Sequence, residues 1–276
     1  MSETQYSVDE HYGVGGVLDA IRGGLIAMGK DIENLMPSDL APVDEFHIRG
    51  REATIELADR AGITPGLRVL DVGSGLGGSV RYLAAERECL ATGIDLTKEY
   101  VEVASALARL VGLEGRVDFH LGSALELPFD GSIFDVVWTE HVQMNIENKD
   151  AFYTEIARVL RPGGRLVFHD IFQGDGSDPH YPAPWAENSA ISFLASPDTL
   201  QRTLEQSGFR IRDWADKSQH SLEWFAAIVE KIKESGPPLL GTHLLMGDTA
   251  KVKFQNQVRN LQEQRIVVIQ AVAEKK

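Results

Sequence analysis

Residues 68–78 read Arg68-Val69-Leu70-Asp71-Val72-Gly73-Ser74-Gly75-Leu76-Gly77-Gly78. A short apolar run ends in a carboxylate and passes into a glycine-rich turn, the pattern of a buried strand feeding a nucleotide-cofactor loop. Glycine takes positive φ without penalty and lets the backbone reach contact distance with a ligand, while the helix that follows offers unpaired N–H groups. The spacing of Gly73, Gly75 and Gly78 satisfies G-x-G-x-x-G, so the loop alone does not choose among nucleotide cofactors. Asp71 does. A carboxylate two residues ahead of the first glycine repels a pyrophosphate and attracts a sulfonium or ammonium group. The plainer reading of Asp71 is a helix-capping or supporting carboxylate.

Outward from this stretch the chain alternates strand and helix patterns, which predicts an α/β fold with a mostly parallel sheet covered on both faces. Strands are expected at Arg68–Val72, Leu90–Asp95, Val117–Leu121, 134–139, 165–171 and Phe209–Asp216, each an apolar run bounded by Gly, Pro or Asp. Helices are expected at 79–88, Lys98–Leu110, 149–160 and 198–207. Residues 265–273 suit a final antiparallel edge strand. The resulting organisation is an N-terminal helical lid over 1–64 and a core over 65–276 with cap insertions at 172–196 and 218–264. The first insertion is too long for an ordinary connection and reads as a functional loop. The second reads as two helices broken at Gly236-Pro237-Pro238.

The motifs in order resemble the class I S-adenosylmethionine-dependent methyltransferases. Asp71–Gly78 matches that family's first motif and Thr92-Gly93-Ile94-Asp95-Leu96 its acidic second strand. Gly122-Ser123-Ala124-Leu125-Glu126-Leu127-Pro128-Phe129 matches the adenine-side loop, Phe134-Asp135-Val136-Val137-Trp138 the fourth strand and Val159-Leu160-Arg161-Pro162-Gly163-Gly164-Arg165-Leu166 the turn into the fifth. The likeness covers roughly residues 48–215 and is greatest to small-molecule enzymes such as the sarcosine/dimethylglycine and quinone methyltransferases. It implies a Rossmann-like, seven-stranded sheet and S-adenosyl-L-methionine as cofactor. It places Asp71, Gly73, Ser74, Gly75, Asp95, Leu96, Ser123, Ala124 and Glu140 at that cofactor, with Asp95 accepting both ribose hydroxyls. Two positions depart from the family: Ser123 stands where the adenine loop usually carries Asp, and Asn145 where many relatives carry His.

The segment ahead of Arg68 contains Tyr12-Gly13-Val14-Gly15-Gly16 and Glu45-Phe46-His47-Ile48-Arg49-Gly50. In the family such a segment folds over the cofactor, which makes Tyr12 and Arg49 candidates for its methionine end, Arg49 by bidentate pairing with the carboxylate. Alternatively Tyr12 packs in a helical hairpin and Arg49 pairs with Glu52 or Glu45. His141 lies just past the fourth strand, at the carboxyl edge where open α/β sheets bind ligands, and is the candidate general base; it can equally be a packed imidazole. Gln143, Asn145, Tyr181 and Trp185 are candidates for the acceptor pocket, with Met144, Phe193, His180 and His243 as further contributors to an aromatic lid or as anchors of a long loop. His169 reads equally as a core or a pocket residue.

A formal charge of −14 disfavours nucleic acid and anionic membranes as partners, since both are bound through Lys and Arg. The single Cys89 excludes a disulfide framework and multi-cysteine metal chemistry, and the scattered histidines lack ligand spacing, so no metal is expected. No apolar run spans a bilayer and the first ten residues lack signal-peptide character, which leads to an expected cytoplasmic location. The expected partner is a small-molecule methyl acceptor, an amine first, a thiol second and a quinone-like carbon acid third; a homodimer through 218–264 is also open. Rival readings are a nicotinamide-dependent oxidoreductase, which wants an apolar residue at 71, and a non-catalytic S-adenosylmethionine-binding protein.

Overall fold

The structure, a computed structural model, describes residues 2–13 and 15–276; Val14 of the Tyr12–Gly16 stretch lies outside them. Seven strands form one sheet in the order β3-β2-β1-β4-β5-β7-β6: β1 Arg68–Val72, β2 Leu90–Asp95, β3 Val117–Leu121, β4 Phe134–Glu140, β5 Leu160–Gln173, β6 Phe209–Asp216 and β7 Ile266–Lys275. The first five run parallel and β7 runs antiparallel to both β5 and β6. Strands β1 and β4 are neighbours although the chain leaves β1 towards β2 and leaves β4 towards β5. Their carboxyl ends are therefore the topological switch point, where α/β sheets open a crevice for ligands.

Local chemistry sets the elements. In β4, Val136, Val137 and Trp138 are fully buried, as a strand covered on both faces must be. Helix α5 (Gly78–Ala85) starts from Gly77 at φ +78°, directly out of the β1 loop, and α6 (Lys98–Leu110) follows β2. Helix α7 (Lys149–Val159) is capped by Asn148, whose side chain accepts from the Ala151 N–H at 3.0 Å. Helix α8 (Pro197–Gln206) has Ser196 as cap and Pro197 in its first turn, and Gly208 at φ +87° ends it.

Four helices precede β1: α1 Glu3–Tyr12, α2 Val17–Ala27, α3 Pro37–Asp44 and α4 Gly50–Ala61. Ile21, Leu25, Leu40 and Val43 from this region pack with Tyr100 and Leu107 of α6 and with Leu240 and Leu245. Helices α9 (Ser218–Ser235) and α10 (Ala250–Gln262) flank the Gly236-Pro237-Pro238 break, joined through two short 3-10 turns, and Phe225 and Leu261 share a cluster with Trp185, Ile191 and Ile171. Both insertions thus meet over one end of the sheet. Among the described residues no helix is long and apolar enough to cross a membrane.

Two features differ from the sequence reading. Strand β7 is interior, with β6 as the edge; Gln270, which gave the segment its alternating look, is buried and donates to the Ala53 carbonyl at 3.0 Å. Strand β5 also runs on through Gln173, so the first insertion begins beyond its stated start.

The close passage of α3 over the β1 loop makes a test of packing. A methyl group added at Gly78 would stand 2.9 Å from the Asp44 carbonyl carbon and closer still to its oxygen, whereas Gly23 in α2 has open space around it. Overpacking against backbone costs about 1–3 kcal/mol, so Gly78→Ala is expected to lower the melting temperature by about 3–10 °C. Gly23→Ala is expected to leave it unchanged or raise it. Differential scanning calorimetry of the two variants checks both.

Candidate active site

The β1 loop satisfies its own backbone. Gly73 and Ser74 donate their N–H groups to the Ile94 carbonyl at 2.8 and 3.0 Å, and Gly75 donates to Asp95 Oδ2 at 2.8 Å. Glycine is required at Gly73, at φ +76°, where a side chain would collide with the methyls of Val142; Gly75, at φ +52°, has nothing within 4 Å of where a Cβ would lie. Asp44 closes the start of α5, its backbone against Gly78 and its carboxylate accepting from Arg81 at 2.5 Å. A pyrophosphate would meet a carboxylate and occupied backbone at that helix end, the opposite of what a dinucleotide needs.

A cavity of about 380 Å³ opens over the tips of β1, β2 and β4. Three carboxylates reach it from those tips. Asp71 is 4% exposed, and among the described residues no donor reaches its carboxylate; burial first, and then the Glu140 and Asp95 charges, hold its proton well above the usual carboxylate range. Asp95 accepts from the Thr97 and Gly75 N–H groups, both at 2.8 Å, so it braces the loop as well as facing the cavity. Glu140 accepts from Ser79 Oγ at 2.5 Å and Trp138 Nε1 at 2.8 Å, and burial raises its pKa although His47 opposes the shift. Gly73, Ser74, Gly75, Leu96, Ser123 and Ala124 line the same cavity.

Behind Glu140 lies a charged cluster. His47 Nε2 stands 3.1 Å from Glu45 Oε2 and 3.5 Å from Glu140 Oε1, and Arg51 donates to Glu45 at 2.9 Å. Burial works against a charged His47, but Glu140 and Glu45 outweigh it and push its pKa up to about 9. Donor atoms of Glu45, His47 and Glu140 lie within 4.8 Å of one another, close enough to surround a metal ion. Each is already engaged: Glu45 by Arg51 and Thr54, Glu140 by Ser79 and Trp138, and His47 by the two carboxylates.

Uncharged polar groups complete the lining. Tyr12 donates its hydroxyl to Asn145 Oδ1 at 3.0 Å, and the Asn145 amide donates to the carbonyls of Trp185 and Ile191, both at 2.8 Å. Asn145 thereby joins the lid, the loop after β4 and the first insertion. His141 sits in the left-handed region at φ +53°, with Nε2 buried and without a partner. Burial, then its neighbours His169 and His47, push its pKa well below the usual value, so the ring is neutral at physiological pH. Trp185 also lines the cavity.

Several candidates lie away from the cavity, and for Arg49 and His169 the plainer of the two readings holds. Arg49 does not face the cavity: its left-handed backbone turns the guanidinium onto Glu52 and Glu56, both at 2.7 Å. Gln143 points inward and donates its amide to the Ile171 carbonyl. Tyr181 packs edge-on against Trp185, 6.4 Å between ring centres, without lining the cavity. His180 is spent on Glu263 at 2.8 Å, and neither Phe193 nor His243 lines the cavity. His169 is fully buried, its Nε2 on the Ile48 carbonyl at 2.9 Å, which makes it a core residue.

His47 and Lys149 escaped sequence reasoning. Lys149 Nζ donates to the carbonyls of Gln143 and Phe193, both at 2.7 Å, and to that of Ile146, pinning the loop after β4 to the insertion. Its position two residues past Ile146-Glu147 was visible, but nothing local shows that Phe193 completes its shell.

Comparison with known proteins gives the family. Residues 70–168 match the family described as a methyltransferase domain. An O-methyltransferase of Pyrenophora dematioidea is 31% identical over 203 residues, 72% of this chain and 73% of its own length. The chain belongs to the S-adenosylmethionine-dependent methyltransferases. A sarcosine/dimethylglycine N-methyltransferase of Halorhodospira halochloris is 28% identical over 182 residues, 66% of this chain and 64% of its own length. In fold, this methyltransferase matches phosphoethanolamine N-methyltransferase 2 of Haemonchus contortus, solved with S-adenosylhomocysteine, with a TM-score of 0.78 at 18% identity, over 100% of this chain and 60% of that one. The cofactor is S-adenosylmethionine, and the unpaired Asp71 carboxylate and open Gly75 backbone fit it.

Burial lowers the pKa of Lys149 to about 8, so its ammonium loses a proton, and its grip on the three carbonyls weakens, as pH rises through that value. Lys149→Met is expected to speed hydrogen exchange in residues 185–193 by about tenfold, a loss of some 1.4 kcal/mol of local protection. Wild-type exchange there, corrected for its intrinsic pH dependence, is expected to rise above about pH 8. Mass-spectrometric exchange with equal rates in both proteins would remove the tether.

Proposed function

We propose that this methyltransferase methylates a hydroxyl oxygen on an uncharged, largely apolar small molecule, with His141 as general base. The observation that carries this is the lining of the cavity: among the described residues it holds no Lys or Arg, while Phe46, Val8, Met144, Ile146 and Trp185 contribute apolar surface to it. A phosphorylated acceptor finds no Lys or Arg there, and the one imidazolium, His47, is held between Glu45 and Glu140; burying an unpaired anion costs several kcal/mol or more.

When bound, S-adenosylmethionine supplies a methyl group already activated by its sulfonium. What the protein must add is position, exclusion of water and removal of the acceptor's proton. His141, whose imidazole is neutral, would take the hydroxyl proton of an acceptor held beside it as the oxygen is methylated. Tyr12 and Asn145, bonded to each other, line the same cavity.

A second reading, an amine acceptor, is favoured by the carboxylates around the cavity and by the aromatic rings of Tyr12, Phe46 and Trp185, which suit a cation. Incubation with S-adenosylmethionine and matched panels of phenols, alcohols, amines and thiols, read by mass spectrometry, separates the two. Methylated hydroxyl compounds are expected; turnover of amines alone contradicts the oxygen assignment, and no turnover with tight S-adenosylhomocysteine binding favours a non-catalytic binding protein.

His141→Asn is the suitable variant, because Asn tolerates the left-handed backbone. It is expected to lower kcat/KM by about 10²–10⁴-fold with S-adenosylhomocysteine affinity unchanged. Because the His141 pKa lies well below 6.5, the base stays unprotonated as pH falls from 8 to 6, so no loss of rate over that range is expected from this group. Equal kcat/KM for variant and parent removes His141 as the base.

A further inference from the structure

The methionine end of S-adenosylmethionine carries an α-carboxylate beside its ammonium group, and the guanidinium that the sequence offered for it, Arg49, is consumed by Glu52 and Glu56. Among the described residues, the cavity lining contains no Lys or Arg to replace it. Two imidazoles line the cavity, His47 and His141. His141 faces no carboxylate within ion-pair distance and is neutral. The His47 side chain is 5% exposed and lies between Glu45 and Glu140, at 3.1 and 3.5 Å.

We propose that His47 is held as a buried imidazolium by Glu45 and Glu140 and pairs with the α-carboxylate of the cofactor, the part assigned by sequence to Arg49. Its Nε2 proton is shared between the two carboxylates, but Nδ1 reaches only the Ile48 carbonyl at 3.5 Å, the outer limit of a hydrogen bond, and so has a proton to offer. The groups facing the ring are Glu45 and Thr54 from the α3–α4 region, with Arg51 beyond on Glu45, Asp71 from β1, Glu140 and His141 from the end of β4, and His169 from β5. With Arg51 on Glu45, the cluster carries positive charge on His47 within an otherwise acidic wall. That arrangement suits a zwitterion, its ammonium towards Asp71 and its carboxylate towards His47.

Two ligands that differ in the amino-acid end isolate this role. S-adenosylhomocysteine carries both charges, whereas 5′-methylthioadenosine keeps the adenosine and the thioether and lacks them. By isothermal titration calorimetry, His47→Gln is expected to weaken S-adenosylhomocysteine about 10- to 100-fold, the worth of one charge-assisted bond, and 5′-methylthioadenosine less than about twofold. Equal weakening of both ligands would assign His47 a merely structural part, and unchanged S-adenosylhomocysteine affinity would exclude it; either overturns the proposal. So would S-adenosylhomocysteine affinity that falls on adding EDTA, since Glu45, His47 and Glu140 would then be holding a metal.

Should His47→Gln fail to fold, unaltered protein gives the same test. Decarboxylated S-adenosylmethionine lacks only the carboxylate and is expected to bind at least about tenfold more weakly than S-adenosylmethionine. Equal affinity overturns the proposal. None of these titrations depends on the methyl acceptor.

Discussion

An unpaired carboxylate, Asp71, at the buried tip of the first strand is the constraint on which the site rests. A charge in that position is expensive, and its surroundings make it more so: Glu140 stands on one side, Asp95 on the other, and no donor among the described residues reaches it. A folded chain keeps such a group only if something else stabilises it, and a cationic ligand does so. The rest of the crevice follows from the same charge. Glycines bring the loop backbone close, Asp44 blocks the α5 end where a pyrophosphate would sit, and Glu140 is tied by Ser79 and Trp138 so that it remains in place. Sheet order then puts these groups together, because β1 and β4 become neighbours only at the switch point.

Around Asn145 and Lys149 the organising force is hydrogen bonding to backbone rather than charge. Asn145 and Lys149 between them hold five carbonyls drawn from the loop after β4 and from the first insertion, and Tyr12 adds the N-terminal helix through Asn145. Asp170 complements them from below by accepting the N–H groups of Val142, Gln143 and Ile171, and its burial lifts its pKa to about 6. A segment with few local restraints is thereby fixed well enough to present His141 in a left-handed conformation. Asn145 is the clamp of this segment.

The fold was legible because its signals are local. Buried strands between glycines and acids, Gly-Pro-Pro between two helices and helix ends marked by Pro197 and Gly208 each act within a few residues. The position of the cavity-lining groups was legible for the same reason: Asp71, the glycines, Asp95 and Ser123 lie at strand ends that the pattern itself fixes. What escaped depends on partners distant in sequence. For Arg49 the Glu52 pairing was among the readings, and α4 adds Glu56 to it, whereas His47 looked ordinary until β4 delivered Glu140. Gln270 suggested an exposed strand because its acceptor, the Ala53 carbonyl, belongs to a helix near the other end of the chain.

The most direct test of the account is a crystal structure of the protein with S-adenosylhomocysteine. It predicts the ligand across the tips of β1 and β2, its ribose hydroxyls on Asp95 and its ammonium against Asp71. A ligand bound elsewhere, or one in the crevice with its amino-acid end turned away from Asp71, would contradict it.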